Sequence, residues 1–202
     1  MPSHADRISG LYEDHALAFD ADRRRRLLER AWLDRFLKLM SPSPSVLDLG
    51  CGMGEPIATY LVERGCAVTG VDSAPTLVAL CRQRLPQHEW IVADMRDLSL
   101  SRTFHGVLAW DSFFHLDRDH QRRMFRVLAE HAAPGAPLMF TSGDKDDESI
   151  GSYCGEPLYH ASLAPPEYRA LLEANGFEVV AFAPSDPSCD RTIWLARYRR
   201  GA

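Results

Sequence analysis

The fold is decided by positions 46–56, which read Val-Leu-Asp-Leu-Gly-Cys-Gly-Met-Gly-Glu-Pro. A second run, Val-Thr-Gly-Val-Asp-Ser-Ala at 68–74, places Asp72 20 residues beyond Gly52. A buried strand, a glycine turn, a helix and a second strand that ends in an acid make a nucleotide-binding βαβ unit. Glycines let the backbone approach a ligand closely, because they carry no Cβ. Asp72 can accept hydrogen bonds from both hydroxyls of a ribose.

The glycine spacing narrows the choice of nucleotide. The dinucleotide fingerprint Gly-x-Gly-x-x-Gly needs a third glycine at position 55, where this chain has Glu55. Gly54 makes the pattern Gly-x-Gly-x-Gly instead. A diphosphate binds at a helix N-terminus, and the negative charge of Glu55 would repel it there. The turn therefore favours a ligand without a diphosphate, preferably a positively charged one.

With these residues the chain resembles the class I S-adenosylmethionine-dependent methyltransferases. Positions 48–54 are similar to the first motif of that family and Asp72 to its ribose-binding acid; the resemblance is strong over 45–142 and loose elsewhere. It implies S-adenosylmethionine as cofactor, S-adenosylhomocysteine as product and direct in-line transfer of the methyl group. Three alternatives stay open: an unrelated α/β domain with a glycine-rich turn, a non-catalytic S-adenosylmethionine-binding protein, and a nicotinamide-dinucleotide oxidoreductase, which Glu55 disfavours.

Length, composition and charge limit the class of protein to which the chain can belong. The chain has 202 residues, 46% of them apolar, and a net charge of −5. That length predicts one domain, and the negative charge argues weakly against a nucleic-acid substrate. Five cysteines without a Cys-x-x-Cys pair indicate reduced thiols in a cytoplasmic protein and no zinc site. The polar N-terminus and the lack of a long apolar run predict neither a signal peptide nor a membrane span.

The alternation of apolar runs and helical patterns predicts an α/β fold, a doubly wound and mostly parallel sheet of seven strands. Strands are expected at 45–49, 67–71, 89–93, 105–110, 137–141, 177–183 and 192–198. Helices are expected at 6–40 in two pieces and at 55–64, 74–84, 118–132 and 166–175, with a long loop at 143–164. The resemblance implies that the last two strands form a hairpin with the final strand antiparallel. We expect one domain over 1–202, with an N-terminal helical lid at 1–42 and an α/β core at 43–202.

An arginine run at 23–26 lies in the predicted helical stretch, where a solvated helix face is the simpler interpretation.

In an open α/β sheet, ligands bind beyond the carboxyl ends of the strands. The residues expected to bind the cofactor are Asp48, Gly50, Cys51, Gly52, Asp72, Ser73, Asp94, Met95, Trp110 and, on the lid, Tyr12. The segment around Asp94 resembles the adenine-binding segment of the family. Simpler roles compete for several of these residues: a loop brace for Asp48, core packing for Met95 and Trp110, amphipathic packing for the lid helix, and a helix cap for Ser73.

The segment after the fourth predicted strand resembles the stretch that borders the transferred methyl group. His115 and Asp111 are its candidate general bases, although His115 could equally cap a helix or pack in the core. Candidate acceptor contacts are Phe113, Tyr153, Tyr159 and His160. No Asn-Pro-Pro-Tyr motif for exocyclic amines follows the strand, since Trp-Asp-Ser-Phe stands at 110–113. We therefore expect a small-molecule acceptor, with neither nucleic acid nor membrane as partner.

Overall fold

The computed structural model describes residues 3–23 and 25–199. Its strands are β1 Ser45–Leu49, β2 Ala67–Asp72, β3 Glu89–Val92, β4 Gly106–Ala109, β5 Pro137–Ser142, β6 Asp147–Tyr153, β7 Glu156–Ser162, β8 Phe177–Asp186 and β9 Arg191–Tyr198. Its helices are α1 Ile8–Asp14, α2 Ala16–Asp22, α3 Arg30–Leu37, α4 Ile57–Glu63, α5 Pro75–Arg84, α6 Arg118–His131 and α7 Pro165–Ala174. None of the helices in these two ranges is both long and apolar enough to span a bilayer.

Seven strands form one sheet in the order β3-β2-β1-β4-β5-β9-β8. β1 to β5 run parallel, and β9 lies antiparallel between β5 and β8. The predicted doubly wound, mostly parallel sheet with an antiparallel final strand is thus confirmed. Because β1 pairs with both β2 and β4, the strand order reverses there, and the crevice above β1 is the expected ligand position.

Apolar side chains cover both faces of the sheet. On one face, α6 and α7 contribute Phe125 and Tyr168, which pack with Phe140 of β5 and Trp194 of β9. On the other face, α3, α4 and α5 pack against β1, β2 and β9. The central strands are buried on both sides, which explains why their sequences are continuous apolar runs without alternation.

The predicted loop at 143–164 is wrong, because β6 and β7 form an antiparallel hairpin there. Its turn is Cys154-Gly155, and both residues have positive φ, as two-residue hairpin turns require. β6 is exposed along almost its whole length and carries polar residues on both faces. The alternation of apolar and polar residues that marks a half-buried strand is therefore missing from the sequence.

The N-terminal segment also departs from its prediction. It forms three main helices, of which α1 and α2 lie over the carboxyl edge of the sheet while α3 packs in the core through Leu33 and Phe36. The arginine run is not a solvated helix face: Arg23 ends α2 in an extended conformation, and Arg25 turns back to Asp20 with Nη2 2.8 Å from Oδ1. Arg24 lies outside the described residues.

Close packing at Gly70 generates a stability prediction. An added Cβ on Gly70 of β2 would lie 2.3 Å from the Trp90 ring and 2.8 Å from Cys51 Sγ. We expect Gly70→Ala to lower the free energy of unfolding by about 1–3 kcal/mol, the usual cost of overpacking. Gly10→Ala in α1 is the matched control: nothing lies within 4 Å of its added Cβ, and alanine favours helix. Urea denaturation measures both, and equal midpoints would contradict the prediction.

Candidate active site

Two adjoining cavities open above the carboxyl ends of β1 to β4. One, the β2–β3 cavity of about 110 Å³, lies between Asp72 and Asp94 on the sheet and Tyr12 on α1. The other, the β1–β4 cavity of about 200 Å³, lies between the glycine turn and Asp111. Together they just reach the roughly 300 Å³ at which small-molecule sites begin. All ten residues predicted to bind the cofactor line one or both of these cavities, although their contacts with a ligand stay predictions.

The carboxylate of Asp72 holds the glycine turn in place. Its Oδ2 accepts from the N–H of Gly52 at 2.8 Å, and its Oδ1 accepts from the N–H of Ala74 at 3.0 Å. Gly50 and Gly52 have φ of +72° and +54°, which a side chain would strain. The predicted cap by Ser73 is wrong: α5 begins after Ala74, and the carboxylate of Glu13 accepts from the N–H of Thr76 in its first turn at 2.9 Å instead.

Two carboxyl groups near the glycine turn, the buried Asp48 and the partly buried Asp72, form no ion pair with a cationic side chain in the described residues. Burial, together with the smaller effect of the charge on nearby Asp72, raises the pKa of Asp48 to about 7. Burial also raises the pKa of Asp72, although hydrogen bonds from backbone N–H groups oppose this. Uncompensated acids in a cavity favour a cationic ligand, because a positive charge stabilises their ionised form. The sulfonium and ammonium groups of S-adenosylmethionine therefore fit the two adjoining cavities, which Asp72 and Asp48 line, and a dinucleotide diphosphate does not.

At the far end of the β2–β3 cavity, Asp94 is already paired. Burial acts to raise its pKa, but hydrogen bonds from Arg96, with Nη2 2.6 Å from Oδ2, leave the pKa lower than usual. Arg96 also donates to Asp6 in the N-terminal segment at 3.1 Å. The neighbouring Met95 lines the cavity and is partly exposed, and it also packs against the hydrophobic core. The ion pair with Arg96 orients the Asp94 carboxylate. The predicted contact of Asp94 with adenine must therefore use the carboxylate lone pairs that Arg96 leaves free.

Helices α1 and α2 close over both cavities. Glu13 accepts from the Thr76 hydroxyl at 2.7 Å, and His15 Nε2 lies 2.7 Å from Glu156 of β7. The Tyr12 ring meets Phe19 edge-on, with centroids 5.1 Å apart, and stacks on Tyr153 at 6.4 Å. These contacts tie the lid to α5 on one side and to the β6–β7 hairpin on the other.

His115 is buried beneath the lid and uses both ring nitrogens. Nδ1 lies 2.8 Å from the Tyr159 carbonyl, and Nε2 lies 3.0 Å from the Tyr12 hydroxyl. The carbonyl can only accept, so Nδ1–H donates to it and Nε2 accepts from the phenol. Burial lowers the pKa of His115 to about 4, although the carbonyl contact opposes this. The imidazole is therefore neutral, and both of its nitrogens already form hydrogen bonds, so neither is free to take a proton.

Asp111 lies at the end of β4 in the left-handed region, with φ of +52°. Its N–H donates to Thr141 Oγ1 at 2.9 Å. Arg191 donates two hydrogen bonds to the Asp111 carboxylate, from Nε to Oδ1 at 2.5 Å and from Nη2 to Oδ2 at 3.1 Å. Arg23 Nη1 lies 3.5 Å from the same Oδ2. Sequence reasoning missed Arg191. A usable signal was its position, since the first residue of an antiparallel strand lies at the same edge as the ends of its parallel neighbours.

Two predicted acceptor contacts are wrong. The side chain of Phe113 is fully buried in the core against Phe125 and Phe140, and the next residue, Phe114, lines the β1–β4 cavity instead. Tyr159 is buried, and its side chain faces a groove outside both cavities; only its carbonyl reaches the site. A 3-10 turn at 113–115 decides which of two adjacent phenylalanines faces the ligand, and the sequence does not mark that turn.

The other two acceptor candidates line cavities, and their contacts with an acceptor stay predictions. His160 lines the β1–β4 cavity and lies 4.8 Å from the His115 ring centroid. Tyr153 lines a further cavity beside Arg23. Within the described ranges, no cluster of three or more His, Cys, Asp or Glu side chains has a geometry that could hold a metal ion.

The pKa of Asp48 generates a pH prediction for the expected cofactor. Below pH 7 Asp48 is protonated and no longer attracts a cation; above pH 7 it is ionised. We therefore expect the Kd for S-adenosylmethionine to be about tenfold larger at pH 6 than at pH 8, because binding releases one proton. Calorimetric titration at both pH values measures this. Asp48→Asn is the control and should bind weakly with no such dependence; a wild-type Kd that does not change with pH would refute the assignment.

Comparisons with known proteins agree with this geometry. A family model described as a methyltransferase domain matches residues 46–135. A trans-aconitate 2-methyltransferase of Azoarcus sp. (strain BH72) is 41% identical over 197 residues, covering 94% of this chain and 73% of that protein. Another, from Rhodopseudomonas palustris (strain BisA53), is 32% identical over 126 residues, 61% of this chain but only 45% of that protein.

Similarity of fold extends to solved structures. The CcbJ methyltransferase of Streptomyces caelestis matches with a TM-score of 0.74 at 18% identity, over 93% of this chain and 98% of that one. Identity of 41% across almost the whole chain goes beyond a shared fold. The chain therefore belongs to the class I S-adenosylmethionine-dependent methyltransferases, and its cofactor is S-adenosylmethionine.

Proposed function

We propose that this methyltransferase transfers the methyl group of S-adenosylmethionine to a carboxylate oxygen of a small-molecule acceptor, and so forms a methyl ester. The Azoarcus relative is named for trans-aconitate, a compound with three carboxylates. The observation that carries the proposal is the pair Arg191 and Arg23, which converge on one carboxylate at the end of β4 beside the cofactor cavities. Guanidinium forks match carboxylates in shape and charge.

Neither candidate general base is free to take a proton, and this also supports a carboxylate acceptor. Both nitrogens of His115 are engaged, and the carboxylate of Asp111 is held by Arg191. A hydroxyl acceptor would have to lose a proton during the transfer, whereas a carboxylate with a pKa of about 4 is already ionised at pH 7. We therefore assign His115 a positioning role, in which it holds the Tyr12 hydroxyl, and Asp111 a role in orienting Arg191.

The chain's own residues position the reactants. Asp72 and the glycine turn would hold the ribose and the methionine moiety, Met95 and Asp94 the adenine, and Asp48 the cationic end of the cofactor. The bound cofactor supplies a methyl group already activated by the sulfonium sulfur. Orientation of two reactants can remove roughly 7–11 kcal/mol from a barrier. We propose that the N-terminal lid, through Tyr12 and its aromatic neighbours, excludes water during the transfer.

A non-catalytic S-adenosylmethionine-binding protein is the competing function. In such a protein the N-terminal helices would fill the acceptor side. Here α1 and α2 close over the two cofactor cavities, and an open volume of about 380 Å³, to which neither helix contributes, remains beside His160 and Arg191. That open volume favours an enzyme. A nicotinamide oxidoreductase is set aside by the family relationship and by Glu55.

Arg191 provides the first test. Incubation with S-adenosylmethionine and trans-aconitate should yield a methyl ester, identified by mass spectrometry. We expect Arg191→Gln to lower kcat/KM by about 100-fold, or roughly 2.7 kcal/mol, because it removes the guanidinium fork that would hold the reacting carboxylate. Arg191→Lys should recover part of the loss, because lysine keeps the charge but not the fork. Arg126→Gln, on an exposed ion pair of α6, is the control and should be unchanged. Methylation of alcohols or amines but of no carboxylate would overturn the proposal.

The pH profile tests the role of His115. At saturating S-adenosylmethionine we expect kcat for a carboxylate acceptor to stay flat from pH 6 to 9, because no enzyme group has to take a proton. His115→Gln should raise the KM for S-adenosylmethionine through loss of the Tyr12 contact, while the shape of the kcat profile stays the same. An ascending limb that disappears in His115→Gln would restore His115 as a general base.

A further inference from the structure

Beyond the two cofactor cavities, two larger ones meet at Arg191. The hairpin cavity, about 380 Å³, lies between the β6–β7 hairpin and the β8–β9 turn. The arginine cavity, about 390 Å³, lies between the end of α2, residues 26–29 and the β8–β9 turn. Arg191 lines both of them and the β1–β4 cavity as well. An acceptor with several carboxylates that reacts beside Arg191 must extend into one of the two.

The two cavities differ in the charged residues that line them. In the hairpin cavity, Arg191 faces three acids, Asp144, Asp147 and Asp190, so a second carboxylate would be repelled there. The arginine cavity holds three arginines, Arg23, Arg26 and Arg191. Its four acids do not all oppose an anion.

The four acids of the arginine cavity differ in their pairing and in their exposure to solvent. Asp111 already pairs with Arg191 and Arg23, whereas Asp22 and Asp190 are exposed to solvent, as Asp144 and Asp147 of the hairpin cavity also are. Glu29 is 6% exposed, and burial raises its pKa. The arginine cavity therefore offers an anionic group two more arginines than the hairpin cavity does, against one more acid.

Two donors in this cavity have no acceptor among residues 3–23 and 25–199. Arg26 is exposed and forms no ion pair there, in contrast to Arg23 and Arg25. The Tyr153 hydroxyl is buried and has no hydrogen-bond partner in the same part of the chain. A buried donor without a partner destabilises the folded state, so its retention at a cavity wall points to a ligand that accepts its hydrogen bond.

We propose that the arginine cavity binds a second carboxylate of the acceptor, remote from the reacting one, and that Arg26 and Tyr153 are specificity-determining residues for it. The inference rests on the proposed function, since it requires a carboxylate-bearing acceptor. Arg23 and Arg191 then orient the reacting carboxylate, while Arg26 and Tyr153 select acceptors with more than one. Monocarboxylates lack the group that these two residues recognise.

Binding of trans-aconitate to the protein saturated with S-adenosylhomocysteine tests this by calorimetry, because no turnover complicates the titration. We expect Arg26→Gln to raise the Kd about tenfold and Tyr153→Phe about fivefold, in the range for one lost charged or neutral hydrogen bond. Arg30→Gln is the matched control: Arg30 is exposed, lies over the Tyr60 ring, and changes the net charge equally. Its Kd should stay within twofold of wild type.

A second readout separates recognition from folding. Tyr153→Phe removes a hydroxyl that is unpartnered in the described residues, so its Tm should be equal to or above that of wild type while its affinity falls. A Kd within twofold of wild type for both Arg26→Gln and Tyr153→Phe would overturn the inference and leave the proposed function intact. A wild-type protein that binds S-adenosylmethionine but neither binds nor esterifies carboxylates refutes the proposed function and this inference with it.

Discussion

The structure depends on the hydrogen bonds of one carboxylate. Asp72, at the end of β2, accepts from the turn that follows β1 and from the start of α5, so it joins three elements at one point. These bonds hold Gly50 and Gly52 in conformations with positive φ and leave the turn open toward the lid. The same carboxylate remains without a cation in the described residues, which prepares the cavity for a positively charged ligand.

Charge is divided across the site in a way that suits two different ligands. The cofactor side holds uncompensated acids, Asp48 and Asp72, whose pKa values are raised by burial. The side that we propose for the acceptor holds Arg23 and Arg191, which both contact Asp111. A cationic donor and an anionic acceptor would each be attracted to their own side, and their opposite charges would favour close approach at the boundary. Asp111 lies at that boundary and keeps the arginines oriented.

Several parts of the site were predictable from local sequence, because their chemistry depends on neighbours along the chain. The glycine turn and Asp72 are examples: a βαβ unit brings them together whatever the rest of the fold does. Asp94 and Met95 were found by the rule that ligands bind beyond strand ends. The side-chain direction at Phe113 was not predictable, since a 3-10 turn rotates it into the core and exposes Phe114 instead.

The sequence by itself determined the doubly wound sheet, the position of the nucleotide site and the preference for a cofactor without a diphosphate. Each of these depends on apolar periodicity or on residues within one βαβ unit. Only the tertiary structure decided the acceptor side. Arg191 is 80 residues from Asp111 along the chain, and Tyr12 is 103 residues from His115. Contacts over such separations leave no local pattern, because they depend on how the final antiparallel strand and the N-terminal helices pack against the sheet.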